Sequence, residues 1–240
     1  MSQHPGVLAI WHDIEQGHRA EVLQWYDHEH HTERVRVPGF VRARRHSALS
    51  GEPELFIYYE TESPEVLGSP DYLGRVDSPT EWTRRTMRHF RGNVRSACRV
   101  THRSCGPDGA YAGTVRLRPL PGREAELRNH LVQTVFPELH DRRAVLSTQL
   151  WESDPGLTMI HSTERDLRTV PDQTADWVVV VSTSDAGSVG VQLDGPLSSP
   201  ALERAGAAPN ALVGQYRLDF ALERDHLGGS TAPASAHSSH

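Results

Sequence analysis

Halfway along this chain the pattern of apolar residues starts again, and that restart narrows the available folds more than any other feature. Gly6-Val7-Leu8-Ala9-Ile10-Trp11-His12 reads as a buried strand, followed by a helical stretch over 18–35 and two strands, Phe40–His46 and Leu55–Glu60. Ser63-Pro64-Glu65 has the signature of a helix start; the stretch is interrupted at Ser69-Pro70, and Ser78-Pro79-Thr80-Glu81-Trp82 opens another. A polar fourth strand is expected over 91–102. From Tyr111 the order returns. A strand to Arg118 leads into a helix opened by Pro121-Gly122, with Leu127, Leu131, Val135 and Leu139 on one face. A strand over 144–152, which Thr158–His161 could extend, precedes the apolar strand Trp177–Ser182. A broken helix over 185–205 and an alternating strand over 212–222 complete the second run.

Each half therefore reads β-α-β-β-α-β, the order of a ferredoxin-like unit, in which two helices cover one face of a four-stranded sheet. The other face needs a cover, and a second sheet supplies it. The expected fold class is α+β: two tandem ferredoxin-like βαββαβ units forming an α/β barrel-type sheet sandwich. The expected divisions are 1–105 for the unit bearing a site, 106–224 for the second unit, and 225–240 for a disordered tail of Gly, Ser, Ala and His.

A chain with 37% hydrophobic residues can bury a real core, and no apolar run approaches the ~20 residues of a membrane span. The net charge of −6 argues against a nucleic-acid partner, which needs clustered cations. All 25 basic residues are arginine, which reads as coding bias rather than a binding device. MSQHPG lacks the apolar core of a signal peptide, so a cytoplasmic protein is expected, with Cys98 and Cys105 as reduced thiols.

The chemistry concentrates on the first helix. At about 100° per residue, Val22, Leu23 and Tyr26 form an apolar stripe, and Glu29, His30 and Glu33 continue it. Buried carboxylates cost several kcal/mol unless compensated, so such a stripe should look into a cavity. His28 and His31 fall on the opposite, solvated face. His30 and Glu33, at i,i+3, suit an acid/base imidazole oriented by a carboxylate from Glu33 or Glu29. The structural alternative ties the same pair to Arg44 or Arg45. Tyr26 is either a hydroxyl donor to an oxyanion or a core tyrosine. Arg34, Arg42 and Arg44 could anchor an anion; Arg42 and Arg44 share one strand face, and Arg45 lies on the other. His12, beside Trp11, would sit near the start of the helix.

Consecutive His28, Glu29, His30 and His31 diverge around the helix and cannot converge on one metal ion. His12, His30 and Glu33 are the one two-histidine, one-carboxylate set to weigh. No Gly-rich phosphate loop, C-x-x-C or nucleophile elbow is present, so no cofactor is expected.

The motifs Trp11-His12-Asp13, Trp25-Tyr26-Asp27, Glu29-His30, Glu33-Arg34, Pro38-Gly39-Phe40 and Arg44-Arg45 resemble the EthD-like branch of the dimeric α/β-barrel superfamily. Tyr58, the interrupted Glu65–Tyr72 segment and Pro79-Thr80-Glu81-Trp82 extend the likeness over roughly residues 6–103. The resemblance implies a barrel with a small-molecule pocket and leaves the chemistry open. From the residues themselves, His30, Glu33 and Tyr26 are the expected catalytic residues and His12, Trp25, Glu29, Arg34 and Arg44 the expected substrate contacts. The superfamily spans cofactor-free monooxygenases of aromatic polyketides, cyclases, dehydratases, isomerases, stress-response barrels and haem enzymes. The expected function is a cofactor-independent enzyme moving a proton on a hydrophobic, aromatic or carbonyl-bearing substrate, by dehydration, cyclisation, isomerisation or carbanion oxygenation. The alternatives are a non-catalytic ligand-binding or assembly barrel, with a homodimer as a further option, and a metal or haem enzyme using His130, His140 or His161 as axial ligand.

Overall fold

The computed structural model describes residues 4–49, 53–168 and 170–228. The first half contributes strands β1 (Gly6–Ile14), β2 (Phe40–Ala48), β3 (Leu55–Thr61) and β4 (Phe90–Arg103). The second contributes β5 (Tyr111–Leu117), β6 (Val145–Ser153), β7 (Trp177–Thr183) and β8 (Leu212–Glu223). Together they close into one barrel in the order β1-β3-β2-β8-β5-β7-β6-β4, with antiparallel neighbours throughout. The class is α+β, as expected. Both seams, β2 to β8 and β4 to β6, join one half to the other.

Strand alternation sends one set of side chains inward and the other toward the helices. Inside, Trp11 stacks on Phe56 at 4.9 Å, with Trp151 and Tyr216 packed around them. Outside, two separate apolar layers hold the helices. One gathers Leu8, Ile10, Ile57 and Tyr59 against the first helix; the other gathers Val115, Val179 and Val181 against its second-half equivalent.

The stretch 19–35 is not one continuous α-helix. Helix α1 (Arg19–Trp25) passes into a π turn, Tyr26–His30, and then α2 (His31–Val35). The His31 N–H donates to the Tyr26 carbonyl, the i→i+5 bond that marks one inserted residue. The second half repeats the device with α5 (Glu124–His130), a π turn over Leu131–Val135 and α6 (Phe136–His140). Gly17 and Gly122, at φ 88° and 81°, turn the chain into these helices in a region that disfavours other residues.

Ser69 caps α3 (Pro70–Val76) and Thr80 caps α4 (Glu81–Met87). Thr158–His161 does not extend β6, because Asp154 accepts the Leu157 N–H and starts helix α7 (Pro155–Thr158), followed by α8 (Thr163–Asp166). The stretch 185–205 is two helices, α9 (Ala186–Asp194) and α10 (Ser199–Arg204), divided around Gly195-Pro196. Residues 225–227 of the expected tail belong to a 3₁₀ turn, Arg224–Leu227, and 229–240 lie outside the described residues. Cys98 and Cys105 are free thiols.

Candidate functional site

One inserted residue rotates everything after it by about 100°. The stripe from Val22 and Tyr26 therefore continues through His30, His31 and Arg34, not through Glu29, His30 and Glu33. His31, expected in solvent, is fully buried, and Arg34 is 1% exposed. Glu29 and Glu33 move to the rim, while His28 is exposed as expected.

The buried side chains meet β1 and β3. His12 donates from Nδ1 to the Asp13 carbonyl at 3.0 Å, which leaves Nε2 to accept from the Tyr26 hydroxyl at 2.9 Å. His31 Nδ1 shares a 2.9 Å hydrogen bond with the Tyr59 hydroxyl. Rings pack around each imidazole: Phe90 on His12 at 3.9 Å, Trp25 on His30 at 4.1 Å, and Tyr26 and Phe220 on His31 at 4.8 and 4.6 Å. Phe220 belongs to β8, so the second half supplies one wall.

Burial lowers His12 to about 4 and holds His30 and His31 well below their ordinary 6.5, with Arg34 and Arg45 adding repulsion to His30 and His31 respectively. The same burial raises the Tyr26 and Tyr59 phenols. At neutral pH the cluster is three neutral imidazoles and two protonated phenols.

Three polar atoms here are buried and unpartnered beside one another: His30 Nδ1, Glu33 Oε2 and Arg34 Nη1. Glu33 Oε2 lies 3.8 Å from His30 Nδ1 and 3.7 Å from Arg34 Nη1. Those separations are too long for hydrogen bonds, and one bridging oxygen can span them. Other atoms of the carboxylate and guanidinium are held: Glu33 pairs with Arg75, and Arg34 pairs with Glu164 of the second half. Glu33 also lines an open groove of about 640 Å³ between α2 and α3, shared with Glu29, Arg36, Asp71 and Arg75. Of the trio, Glu33 alone lines this space, which is large enough for a small molecule, and His30 and Arg34 lie behind it.

The remaining candidates divide. Trp25 is buried and donates from Nε1 to the Thr83 hydroxyl at 3.2 Å. Glu29 accepts from the Thr80 hydroxyl at 2.6 Å, fastening α4 while lining the groove. Arg44 does not join His30. It shares a small cavity with His46 and Tyr58 on the barrel-interior face of β2 and pairs with Asp108 and Glu223; Arg42 pairs with Glu60 and Asp108. Arg45 is the strand arginine that reaches the site, 5.9 Å over the Tyr26 ring and 2.5 Å from Asp27. Sequence reasoning put Arg45 on the correct face but gave it no binding role, and it missed Tyr59, whose alternation with Tyr58 was the available signal.

His12, His30 and Glu33 do not form a metal site. Among the described residues, the only trio of potential ligands whose atoms lie within 4.8 Å of one another is Glu15, His18 and His89. None of the haem-ligand candidates lines the groove beside Glu33. His161 is exposed against Asp166, His140 meets the Thr148 hydroxyl at 3.1 Å, and His130 lines a groove walled by Glu126, Glu138 and Arg204. The space between the second-half helix and its sheet is filled by Leu131, Val135, Phe136 and Leu139.

The second half offers an internal reference. The strand registers and π turns match position by position: His12 corresponds to Leu117, Tyr26 to Leu131, His30 to Val135, His31 to Phe136, Arg34 to Leu139 and Tyr59 to Val181. These six polar residues have apolar counterparts, whereas Glu33 corresponds to Glu138 and is acidic in both halves.

No protein-family model matches the sequence, and none of the curated proteins does. Solved structures do share the fold. An anthrone oxidase-like protein superposes with a TM-score of 0.65 at 12% identity, covering 97% of each chain. A candidate monooxygenase from Fusobacterium nucleatum gives 0.58 at 7% identity, over 93% of this chain and 96% of that one. Chlorite dismutase from Candidatus Nitrospira defluvii, in complex with imidazole, gives 0.52 at 11% identity over 95% and 94%. What these structures share with the chain is the fold, here an eight-stranded barrel closed within one chain. Among the described residues, no helix is long and apolar enough to cross a membrane.

Proposed function

We propose that this chain is a cofactor-independent enzyme that removes a proton from a hydrophobic, carbonyl-bearing aromatic substrate. Its site is the first-half cluster. The observation that carries this reading is the unpartnered trio of His30 Nδ1, Glu33 Oε2 and Arg34 Nη1 beside the groove, where His30 and Arg34 stand in place of the Val135 and Leu139 of the other half. The substrate enters from the groove and sets its oxygen in the gap. His30, kept neutral by burial, takes the proton on Nδ1, and Glu33 then faces the imidazolium. Arg34 stabilises the enolate or phenolate oxygen. Tyr26 and His12 hold the floor through their hydrogen bond.

The likeness to an anthrone oxidase-like protein favours oxygenation as the fate of the carbanion. For an anthrone, the ring CH₂ loses one proton to His30 and its electrons pass to O₂. One oxygen atom becomes a new carbonyl and the other leaves as water. Membership in the EthD-like branch, a build of two tandem units meeting near residue 105, and a cytoplasmic setting belong to the same reading. Glu33 is already paired with Arg75, which favours a ligand-binding barrel without chemistry as the second reading.

Two measurements separate these readings. Deuterium exchange at the acidic C–H of anthrone, followed without oxygen, reports proton abstraction alone; oxygen uptake reports the later step. Exchange by the native protein that disappears in His30→Ala supports the mechanism. Exchange absent from the native protein, or equal in a folded His30→Ala, removes it.

A further inference from the structure

At one end of the barrel lies a second cavity, of about 240 Å³, remote from the His30 cluster in its lining. Arg116 of β5 faces it, together with Arg118, Gln173, Asp176 and Asn210. Among the described residues, Arg116 is the one arginine not fully exposed that has neither an ion pair nor a hydrogen bond; every other half-buried or buried arginine is engaged. Its guanidinium lies 5.1 Å over the Trp11 ring, which covers one face and leaves the N–H edge free. The Trp11 indole N–H is itself buried and unpartnered, behind the cavity lining rather than in it. Asp13, whose charge also acts on Arg116, accepts the Glu54 N–H at 2.6 Å and forms no ion pair with the guanidinium.

A half-buried guanidinium without an ion pair is costly, and an incoming anion would add to the partial compensation that Asp13 gives it at a distance. Two arginines against Asp176 leave the cavity net positive. Its volume falls below the range of drug-sized sites and suits a molecule of few heavy atoms. The free in-plane edge of the guanidinium matches the flat, two-oxygen geometry of a carboxylate better than a tetrahedral anion. We propose that this cavity binds a small carboxylate, gripped along the edge of Arg116 and backed by Trp11.

The test is calorimetric titration of the full chain with butyrate, and separately with inorganic phosphate, at matched ionic strength. Butyrate should bind saturably and more tightly than phosphate. Arg116→Met should weaken butyrate at least about tenfold, as loss of a bidentate charge contact does. In the absence of ligand, Arg116→Met should melt about 2–4 °C higher, because a charge compensated only in part has been removed from the barrel mouth. Arg116→Lys keeps the charge but not the planar edge, and should bind butyrate several-fold less well while folding normally. Butyrate binding that is absent from the native protein, or unchanged in either variant, overturns the proposal; phosphate binding tighter than butyrate overturns the carboxylate assignment.

Discussion

In both halves a π turn lies against the middle of its own strands, and the ring that follows it reaches a ring from the other half. His31 stacks on Phe220 of β8 at 4.6 Å, while Phe136 lies 5.3 Å from His102 of β4. Histidine and phenylalanine have exchanged places across the barrel. The backbone is shared, so backbone geometry does not explain why one cluster is polar. Leu131, Val135 and Leu139 fill the second half with dispersion contacts and nothing to satisfy. The first half buries three imidazoles, two phenols and a guanidinium, where each unsatisfied group costs about 1–3 kcal/mol. Packing alone would favour the second solution in both halves. On the proposed function, the chemistry of the first half is what offsets the costlier solution on the same scaffold.

The sharpest way to break this comparison is His30→Val, which installs the counterpart residue Val135. Turnover and C–H exchange should fall about 10²–10⁴-fold, the usual contribution of a positioned acid or base. The melting temperature should hold or rise, since an unpartnered buried nitrogen leaves with the ring. A stable variant with native turnover would show that the polarity of the first half has another cause.

The next effect is one of acid. His12 titrates at about 4 in the folded chain and near 6.5 when unfolded, so the unfolded state takes up its proton first as pH falls. This contribution to stability is complete above pH 6.5 and is lost progressively down to pH 4, on the order of 3 kcal/mol at about 1.4 per pH unit. Denaturant unfolding at pH 7 and at pH 4.5 measures it. In His12→Leu, which copies Leu117, this part of the acid sensitivity should vanish; an unchanged pH slope would show that other groups carry it.

How much of this was legible depended on period. The strand alternation that marked β1, β3 and β7 is local and survives folding, and it separated Arg45 from Arg42 and Arg44 correctly. Alternation does not say which face carries the helix, so it could not choose between Arg44 and Arg45 as the arginine beside the cluster. The helix stripe failed at one point, between Tyr26 and His31, where an inserted residue has no signature in hydrophobic spacing. Leu127, Leu131, Val135 and Leu139 follow regular four-residue spacing in the second half, yet the same bulge lies among them. His30 was placed inward because a shift of 100° leaves it within the buried arc. His31 and Arg34 gained their places from the same shift, and Glu29 and Glu33 moved to the rim. The gap between Glu33, Arg34 and His30 depends on Arg75 and Glu164, held by helices distant in sequence, and no local pattern could announce it.

Grafting in the other direction should also cost stability. Phe136→His gives the second half the imidazole of the first without its tyrosine partner, because Val181 stands where Tyr59 does. The new ring would lack the hydrogen bond that Tyr59 gives His31 Nδ1, at a cost of about 2 kcal/mol. Chemical denaturation reads this directly. A neutral result would mean that His102 or local water satisfies the new ring, and that the halves are less different than their compositions suggest.

The smallest effect sharpens the comparison furthest. Tyr59→Phe removes only the hydroxyl that bonds His31 Nδ1. His31 Nε2 is already unpartnered, so the variant leaves the whole imidazole unsatisfied in a dry site. A loss of about 1–2 kcal/mol is expected, with turnover little changed because His30 and Arg34 keep their positions. Adding His31→Phe completes an apolar pair like Phe136 with Val181. Removing both partners is nearly neutral where removing one is not, so the double variant should recover most of the loss. A coupling of about 1 kcal/mol between the two positions would identify the hydrogen bond as the reason for His31's polarity. Strict additivity would mean that His31 is held by Tyr26 and Phe220 through ring packing, and that the first half tolerates its unpaired nitrogens without the help of Tyr59.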